Sequence, residues 1–218
     1  MTGLQPGSVL SVPIFPLPNL VFFPHTMLPL HVFEPRYRAM VEHAAAGDGL
    51  LGVVQLEPGW QGDYYGDPPV CPTFGLGRIV QKEDVPGDRY NIVVQGLHRA
   101  RVLSEPERDT EFRVVQAELL PSGRTDDPVA LARHLATARQ QFAALLSKLP
   151  NVDLDRAGRL FDADADPATV LDAIASSLPI PPAHKQRLLE EERLEARAEQ
   201  VADYLVDNVE PLAAQAEA

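Results

Sequence analysis

Residues 12–37 read V-P-I-F-P-L-P-N-L-V-F-F-P-H-T-M-L-P-L-H-V-F-E-P-R-Y, and no charged side chain precedes Glu34. Hydropathy alone would make this stretch a membrane span or a secretory leader. Its prolines argue otherwise: Pro13, Pro16, Pro18, Pro24 and Pro29 each lack the N–H that a helix in lipid must keep bonded. No basic n-region stands before it, so no leader is expected either. The stretch reads as extended chain, with strands over 9–15 and 27–33 joined by proline-fixed turns and buried on at least one face.

The period changes at F-E-P-R-Y, 33–37. Pro35 suits the first position of a helix, and Tyr37, Met40, Val41 and Ala44 recur at the spacing of one helical face until Gly47 stops it. Glu34 sets a negative charge at the helix start, where the dipole favours it, and Arg36 is near enough to pair with it or with a neighbouring strand. The pair reads as a fixed strand-to-helix corner rather than an acid–base couple.

Outward from there, 50–56 is a buried strand. Residues 57–72 form a loop rich in proline and glycine that carries Trp60, Tyr64 and Tyr65. Aromatic rings on such a loop either serve as an adaptable contact surface or fold back on the core they border. Strands over 76–81 and 90–95 flank the turn E-D-V-P-G-D, Gly96 marks a bulge or bend before 98–103, and 112–119 supplies another strand. At Pro121 the composition shifts. Asp127 is an N-cap with Pro128 at the first helical position, and Leu131, Leu135, Ala138, Phe142, Leu145 and Leu149 form one apolar stripe ended by Pro150. Asp166-Pro167 repeats the cap before a face of Leu171, Ile174, Ala175 and Leu178. After Pro179, Pro181 and Pro182, one last helix is expected from about Ala183, burying Leu188, Leu194, Val201 and Leu205.

P-L-P-N-L-V-F-F-P followed by M-L-P-L-H-V-F-E-P-R-Y resembles the opening signature of the Lon N-terminal domain family, the substrate-recognition domain of the ATP-dependent Lon proteases. F-G-L-G-R-I at 74–79 and Y-N-I-V-V-Q-G-L-H-R-A at 90–100 resemble the family's glycine-marked strands in the right order, and K-Q-R-L-L-E at 185–190 resembles its closing helices. The likeness covers nearly the whole chain. The residues that carry it are Pro24, Pro29, Phe33, Glu34, Pro35, Arg36, Tyr37, Gly75, Gly77, Arg78, Gly96 and Arg99, and they are read as structural. The resemblance implies an α+β fold: a PUA-like β-barrel lobe with one helix over 8–120, a linker at 121–127, and a C-terminal α-helical bundle over 128–210.

A chain of 218 residues, 45% hydrophobic, can bury one large domain or two small lobes. Its net charge of −12 is spread evenly, with 9 basic against 14 acidic residues through Leu120 and 10 against 17 afterwards. No basic patch is hidden in the total, so nucleic acid is not an expected partner. The single Cys71 forms neither an internal disulfide nor a thiolate zinc cage, which suits a reducing compartment and a cytoplasmic location.

The sequence carries no recognisable catalytic constellation. No Gly-Lys pair exists to open a phosphate-binding loop, and the Ser-Lys centre of Lon proteases belongs to another module. Lys82, Lys148 and Lys185 lie on a hairpin strand or polar helix ends, where desolvation to a base is not expected. His25 and His31 are six apart among prolines, wrong for one helix face, and His98, His134 and His184 are scattered singly; Cys71 lies between prolines with no evident means of lowering its pKa, and Asp162, Asp164 and Asp166 lack the glycine turn and closing glutamate of a calcium loop. The expectation is therefore a stand-alone, non-catalytic recognition module without cofactor or metal. Its partner would be unfolded or partly unfolded polypeptide, held in an apolar groove at the junction of barrel and bundle beside Trp60, Tyr64 and Tyr65; neither nucleic acid nor membrane is expected. The alternative is an adaptor or scaffold, as in cereblon, for one partner protein or small ligand.

Overall fold

The structure, a computed structural model, describes residues 4–63, 66–107, 109–148, 158, 161–162 and 164–216, with side chains to residue 208. Tyr64, Tyr65, Leu149 and Pro150 lie outside the described residues. The fold is α+β. Strands β1 (Val9–Leu17), β2 (Met27–Val32), β3 (Leu50–Gln55), β4 (Thr73–Val85), β5 (Arg89–Ser104) and β6 (Val114–Leu120) form one sheet. Five α-helices occur among the described residues: α1 (Pro35–Ala46), α2 (Pro128–Lys148), α3 (Pro167–Ser177), α4 (Pro182–Glu190) and α5 (Leu194–Ala216). The chain divides into two compact units, Met1–Ser122 with Ile180–Glu190, and Gly123–Pro179 with Glu191–Ala218.

In the first unit the strand order is β2-β5-β4-β3-β1-β6, and β5 also pairs with β6. Five strands therefore make a closed hydrogen-bonded circuit, with β2 added on the outside of β5. Closure leaves few bare edges, which limits unwanted strand pairing. Val12, Ile14, Val54, Phe74, Leu76, Ala100, Val115, Ala117 and Leu119 form one buried cluster drawn from all five circuit strands. Phe15, Val32, Tyr37, Met40, Val41, Leu51, Val53, Ile92 and Val94 form a second beneath α1. The alternation of Ile14 and Phe15 between the two follows from the period of a strand.

α1 begins where the sequence places it, with Glu34 as N-cap in extended conformation and Pro35 at N1, and ends at Gly47. Tyr37, Met40, Val41 and Ala44 are its buried face. The expected strands at 90–95 and 98–103 are one strand, because Gly96 sits inside β5 rather than between two strands. The register passes from Leu76 opposite His98 to Gly77 opposite Gly96, so Leu97 bulges and the strand bends without ending.

Three of the signature glycines face the same crowded crossing. A Cβ on Gly75 would stand 2.2 Å from the carbonyl oxygen of Phe22 and one on Gly96 2.3 Å from that of Phe23, while one on Gly77 would meet Val94 at 2.5 Å, the Gln95 carbonyl oxygen at 2.7 Å and the Phe22 ring at 2.8 Å. The Phe22-Phe23 segment thus runs against β4 and β5 at backbone contact distance. His25 N–H donates to the Gly96 carbonyl at 3.0 Å and Gly96 N–H to the Thr26 carbonyl at 2.8 Å, which fixes the crossing on both sides.

The single last helix expected from Ala183 is two helices, α4 and α5. Between them the backbone pairs with Arg124 instead of continuing to coil: Arg124 N–H donates to the Glu192 carbonyl at 2.8 Å and Leu194 N–H to the Arg124 carbonyl at 2.9 Å. The end of α4 is also occupied, since the buried Arg99 guanidinium donates to the Leu189 carbonyl at 2.8 Å and to the Pro121 carbonyl at 2.7 Å. A cation there complements the helix dipole. Gln186 donates to the Thr73 carbonyl at 2.8 Å and to Glu190 at 2.7 Å. These bonds tie α4 to β4 and β5, so residues 182–190, which helical periodicity alone would group with the other helices, are counted with the sheet.

In the second unit α2 packs along α5, and α3 touches both. Asp127 accepts from Val129 and Ala130 N–H at 3.1 and 2.9 Å, and Asp166 from Thr169 N–H at 2.9 Å, so both helix starts carry side-chain caps. Arg197 and Asp172 meet at 2.9 Å with both side chains buried, and Arg197 also donates to the Glu191 carbonyl. Burial lowers the Arg197 pKa, and the Asp172 carboxylate opposes that shift.

Candidate functional site

The first unit holds a cleft of about 140 Å³. Four apolar or aromatic residues line it: Pro16 from the end of β1, Leu56 just past β3, Tyr37 from the first turn of α1, and Phe112 ahead of β6. Two of these pack against neighbouring rings. The Tyr37 ring lies 4.3 Å from that of Phe15, and Phe112 lies 5.3 Å from His43, both measured between centroids. Charged residues, Arg36, Asp67, Glu111 and Arg113, line the cleft as well. Arg36 lies over the Tyr37 ring at 4.6 Å and pairs with Glu34 at 3.2 Å. Arg113 makes a two-pronged contact to Glu105 at 2.8 and 2.6 Å, and donates to the Pro68 carbonyl at 2.7 Å. A fork that engages both carboxylate oxygens fixes geometry as well as charge.

One wall of the cleft is the loop singled out for its aromatic residues, because Gly66, Asp67 and Pro68 line it. That loop is anchored at both ends: Glu57 N–H donates to the Pro69 carbonyl and Cys71 N–H to the Gln55 carbonyl, each at 2.9 Å. Trp60 opens a short 3-10 turn (Trp60–Gly62) and is half-buried.

A second feature is the outer row of β2. Met27, Pro29, His31 and Phe33 alternate along it and are exposed, Met27 by 46% and Phe33 by 60%. Across the ladder the first three stand opposite Gln95, Val93 and Asn91, and His31 Nδ1 lies 2.8 Å from Asn91 Oδ1. Farther on, the bulge in β4 leaves Val80 without a cross-strand partner and 47% exposed. The result is a mixed polar and apolar face whose large apolar groups stay exposed among the described residues.

Of the other signature residues, Pro24 is buried in the crossing segment, Arg78 is exposed on β4 with its stem 3.3 Å from where a Gly49 Cβ would stand, and Arg99 is only 1% exposed. Arg36 and Tyr37 reach the cleft; Gly75, Gly77 and Gly96 serve the crossing. Sequence reading missed Phe112, Arg113, Glu105, Asp67 and Glu111. Their only common signal was position in loops flanking strands, and no spacing rule joins them.

Among the described residues no three His, Cys, Asp or Glu side chains come together as a metal site, and no helix is long and apolar enough to cross a membrane. Cys71 is pushed up to about 11 by burial, then by the charges of Glu190 and Glu57. His98 is lowered by burial and by His25. Lys185, where desolvation to a base was not expected, is half-buried, and burial lowers its pKa.

A family model described as the ATP-dependent protease La (LON) substrate-binding domain matches residues 11–207. The chain belongs to this Lon domain family. Among curated relatives, a Lon protease of Anaeromyxobacter dehalogenans (strain 2CP-C) is 30% identical over 200 residues, covering 89% of this chain and 23% of the relative. Lon protease 2 of Myxococcus xanthus is 31% identical over 199 residues, again 89% and 23%. The chain thus spans about a quarter of the length of these relatives. The N-terminal domain of a Mycobacterium avium complex Lon protease superposes with a TM-score of 0.70 at 19% identity, covering 91% of this chain and 99% of that one. A Lon N-terminal domain protein from Xanthomonas campestris gives 0.63 at 22% identity, covering 89% and 98%. The Lon-domain fold is therefore shared at 19–22% identity.

Proposed function

We propose that this Lon domain recognises polypeptide, taking extended segments of unfolded or partly unfolded proteins on its sheet unit without acting on them chemically. The observation that carries the reading is the family match over residues 11–207, a family described by substrate binding. The exposed row of Met27, Pro29 and Phe33, with Val80 beyond it, supplies what such a role needs: adaptable apolar side chains on a rigid strand. The closed circuit would act as the barrel-like lobe, and the loop of Trp60, Tyr64 and Tyr65 as a second contact. The acidic surface suits a protein with exposed apolar groups, since like charges oppose self-association.

The test is equilibrium binding of the purified protein to a labelled polypeptide in unfolded and folded forms. Saturable binding to the unfolded form alone is expected. Met27→Glu with Phe33→Glu should weaken it about ten-fold, because two apolar side chains lose their burial. Trp60→Ala with Tyr64→Ala and Tyr65→Ala tests the loop separately. Equal binding of both forms, or of neither, refutes the reading.

A further inference from the structure

We propose that the outer edge of β2 takes the bound segment as an added antiparallel strand, so that recognition runs through the main chain as well as through the exposed apolar row. The inference rests on the polypeptide reading above and says how that reading is carried out.

The hydrogen-bond phase of β2 sets the edge. Thr26 stands one step before the Met27–Gln95 pair, and its carbonyl accepts from Gly96 N–H at 2.8 Å. Bonded and non-bonded pairs alternate along an antiparallel ladder, so Leu28, Leu30 and Val32 exchange bonds with Val94, Ile92 and Tyr90. Met27, Pro29 and His31 therefore turn their main-chain groups away from β5. No second strand pairs with β2 among the described residues. The same three residues carry exposed side chains, so a strand laid along them meets main-chain donors, main-chain acceptors and apolar surface together. Pro29 fits this phase, because the N–H it lacks is one that β5 never uses.

The sheet has another open edge, and that one is guarded. Beyond Ile79, β4 pairs with β5 alone among the described residues, and this stretch holds the bulge at Val80 followed by Lys82, Glu83 and Asp84. A bulge and a run of charges are devices that keep strands from pairing. β2 has neither: its register against β5 is unbroken, and no Asp, Glu, Lys or Arg occurs from 27 to 33. Its one guard is Pro29, which withholds a single donor.

That guard also selects the occupant. A second copy of this chain would bring a second Pro29 to the same short edge, and each copy carries a net charge of −12 that repels the other. A neutral or basic segment of another protein, free of proline, forgoes only one bond and meets no such repulsion.

The test uses two fluorescein-labelled peptides of one sequence, an extended alternation of leucine and threonine between lysine ends, with binding followed by anisotropy. One isomer is N-methylated on two leucines, the other on two threonines. Both present the same side chains on the same faces and differ only in which edge keeps its N–H groups. With leucines on the face of Met27 and His31, antiparallel addition uses the leucine N–H groups, so the threonine-methylated isomer should bind about ten-fold more tightly. His31→Pro removes an outward N–H, whereas His31→Ala removes the same side chain and keeps that donor. The first should weaken binding of this isomer about ten-fold more than the second. Melting temperatures check that both variants fold, and the isomer comparison on the unaltered protein decides alone if His31→Pro does not. Equal affinities of the two isomers refute the edge, and if an unfolded protein still binds, the polypeptide reading survives on side chains alone. A dimer in sedimentation that His31→Pro dissolves would give the edge to a second copy and overturn the proposal. If neither peptide nor unfolded protein binds, both readings fall together.

Discussion

The carbonyl oxygen of Phe23 lies 2.3 Å from where a Cβ on Gly96 would stand, seventy-three positions later in the chain. The obstacle is backbone on both sides, and the peptide bonds around it are hydrogen-bonded to each other through His25 and Thr26. Nothing flexible can swing aside. Gly96→Ala should therefore cost about 3 kcal/mol, at the upper end of overpacking effects. Gly62→Ala, where a Cβ meets nothing within 4 Å, should change stability by less than about 1 kcal/mol. Urea titration of the two variants decides it; equal midpoints would show that the crossing yields.

Arg99 supplies two donors to the Leu189 and Pro121 carbonyls from a site that is 1% exposed. Arg99→Met keeps much of the volume and strands both acceptors away from water. A loss of about 3 kcal/mol is expected, with faster amide exchange concentrated in α4. Arg99→Lys should recover little, because an ammonium cannot reproduce the planar fork. Uniform exchange across the sheet unit, with no excess in α4, would contradict the assignment.

Cys71 should be a slow nucleophile. Its thiol is held neutral in the folded protein up to about pH 11, against an ordinary value of 9.0. Alkylation of the folded chain should therefore rise with a midpoint near pH 11, and that of the urea-unfolded chain near pH 9. The sign for stability follows: above pH 9 the unfolded chain sheds this proton first, so the contribution is intact below pH 9 and is lost as pH climbs toward 11. A folded-state midpoint at or below 9 would mean that the thiol is solvated.

The sequence disclosed what local chemistry dictates. Pro35, with the Tyr37, Met40, Val41 and Ala44 face, located α1, and the Asp127-Pro128 and Asp166-Pro167 pairs located the starts of α2 and α3, because caps act over three or four residues. Gly96 announced an irregularity that β5 does contain. What stayed hidden is non-local. Nothing near Gly75 or Gly96 says that Phe22 and Phe23 will lie across them, and nothing near Gln186 says that its amide will find the Thr73 carbonyl at 2.8 Å, 113 positions away. The break between α4 and α5 was missed for the same reason, since the competitor for those backbone groups is Arg124. The cleft was the least legible part. Tyr37 was marked as a helix-face and signature residue read as structural, and Phe112 only as the first residue of a strand.

The membership of α4 in the sheet unit sets an order on biosynthesis. All six strands are complete once residue 120 is made, yet Ile180–Glu190, which the same unit requires, comes only after 123–179. During translation the nascent strands must wait with Arg99 facing no Leu189 carbonyl and Thr73 no Gln186 amide. The sheet unit is therefore complete only after the intervening segment has been made, so its last contacts, those of Arg99 and Thr73 with α4, form after the strands themselves have been synthesised.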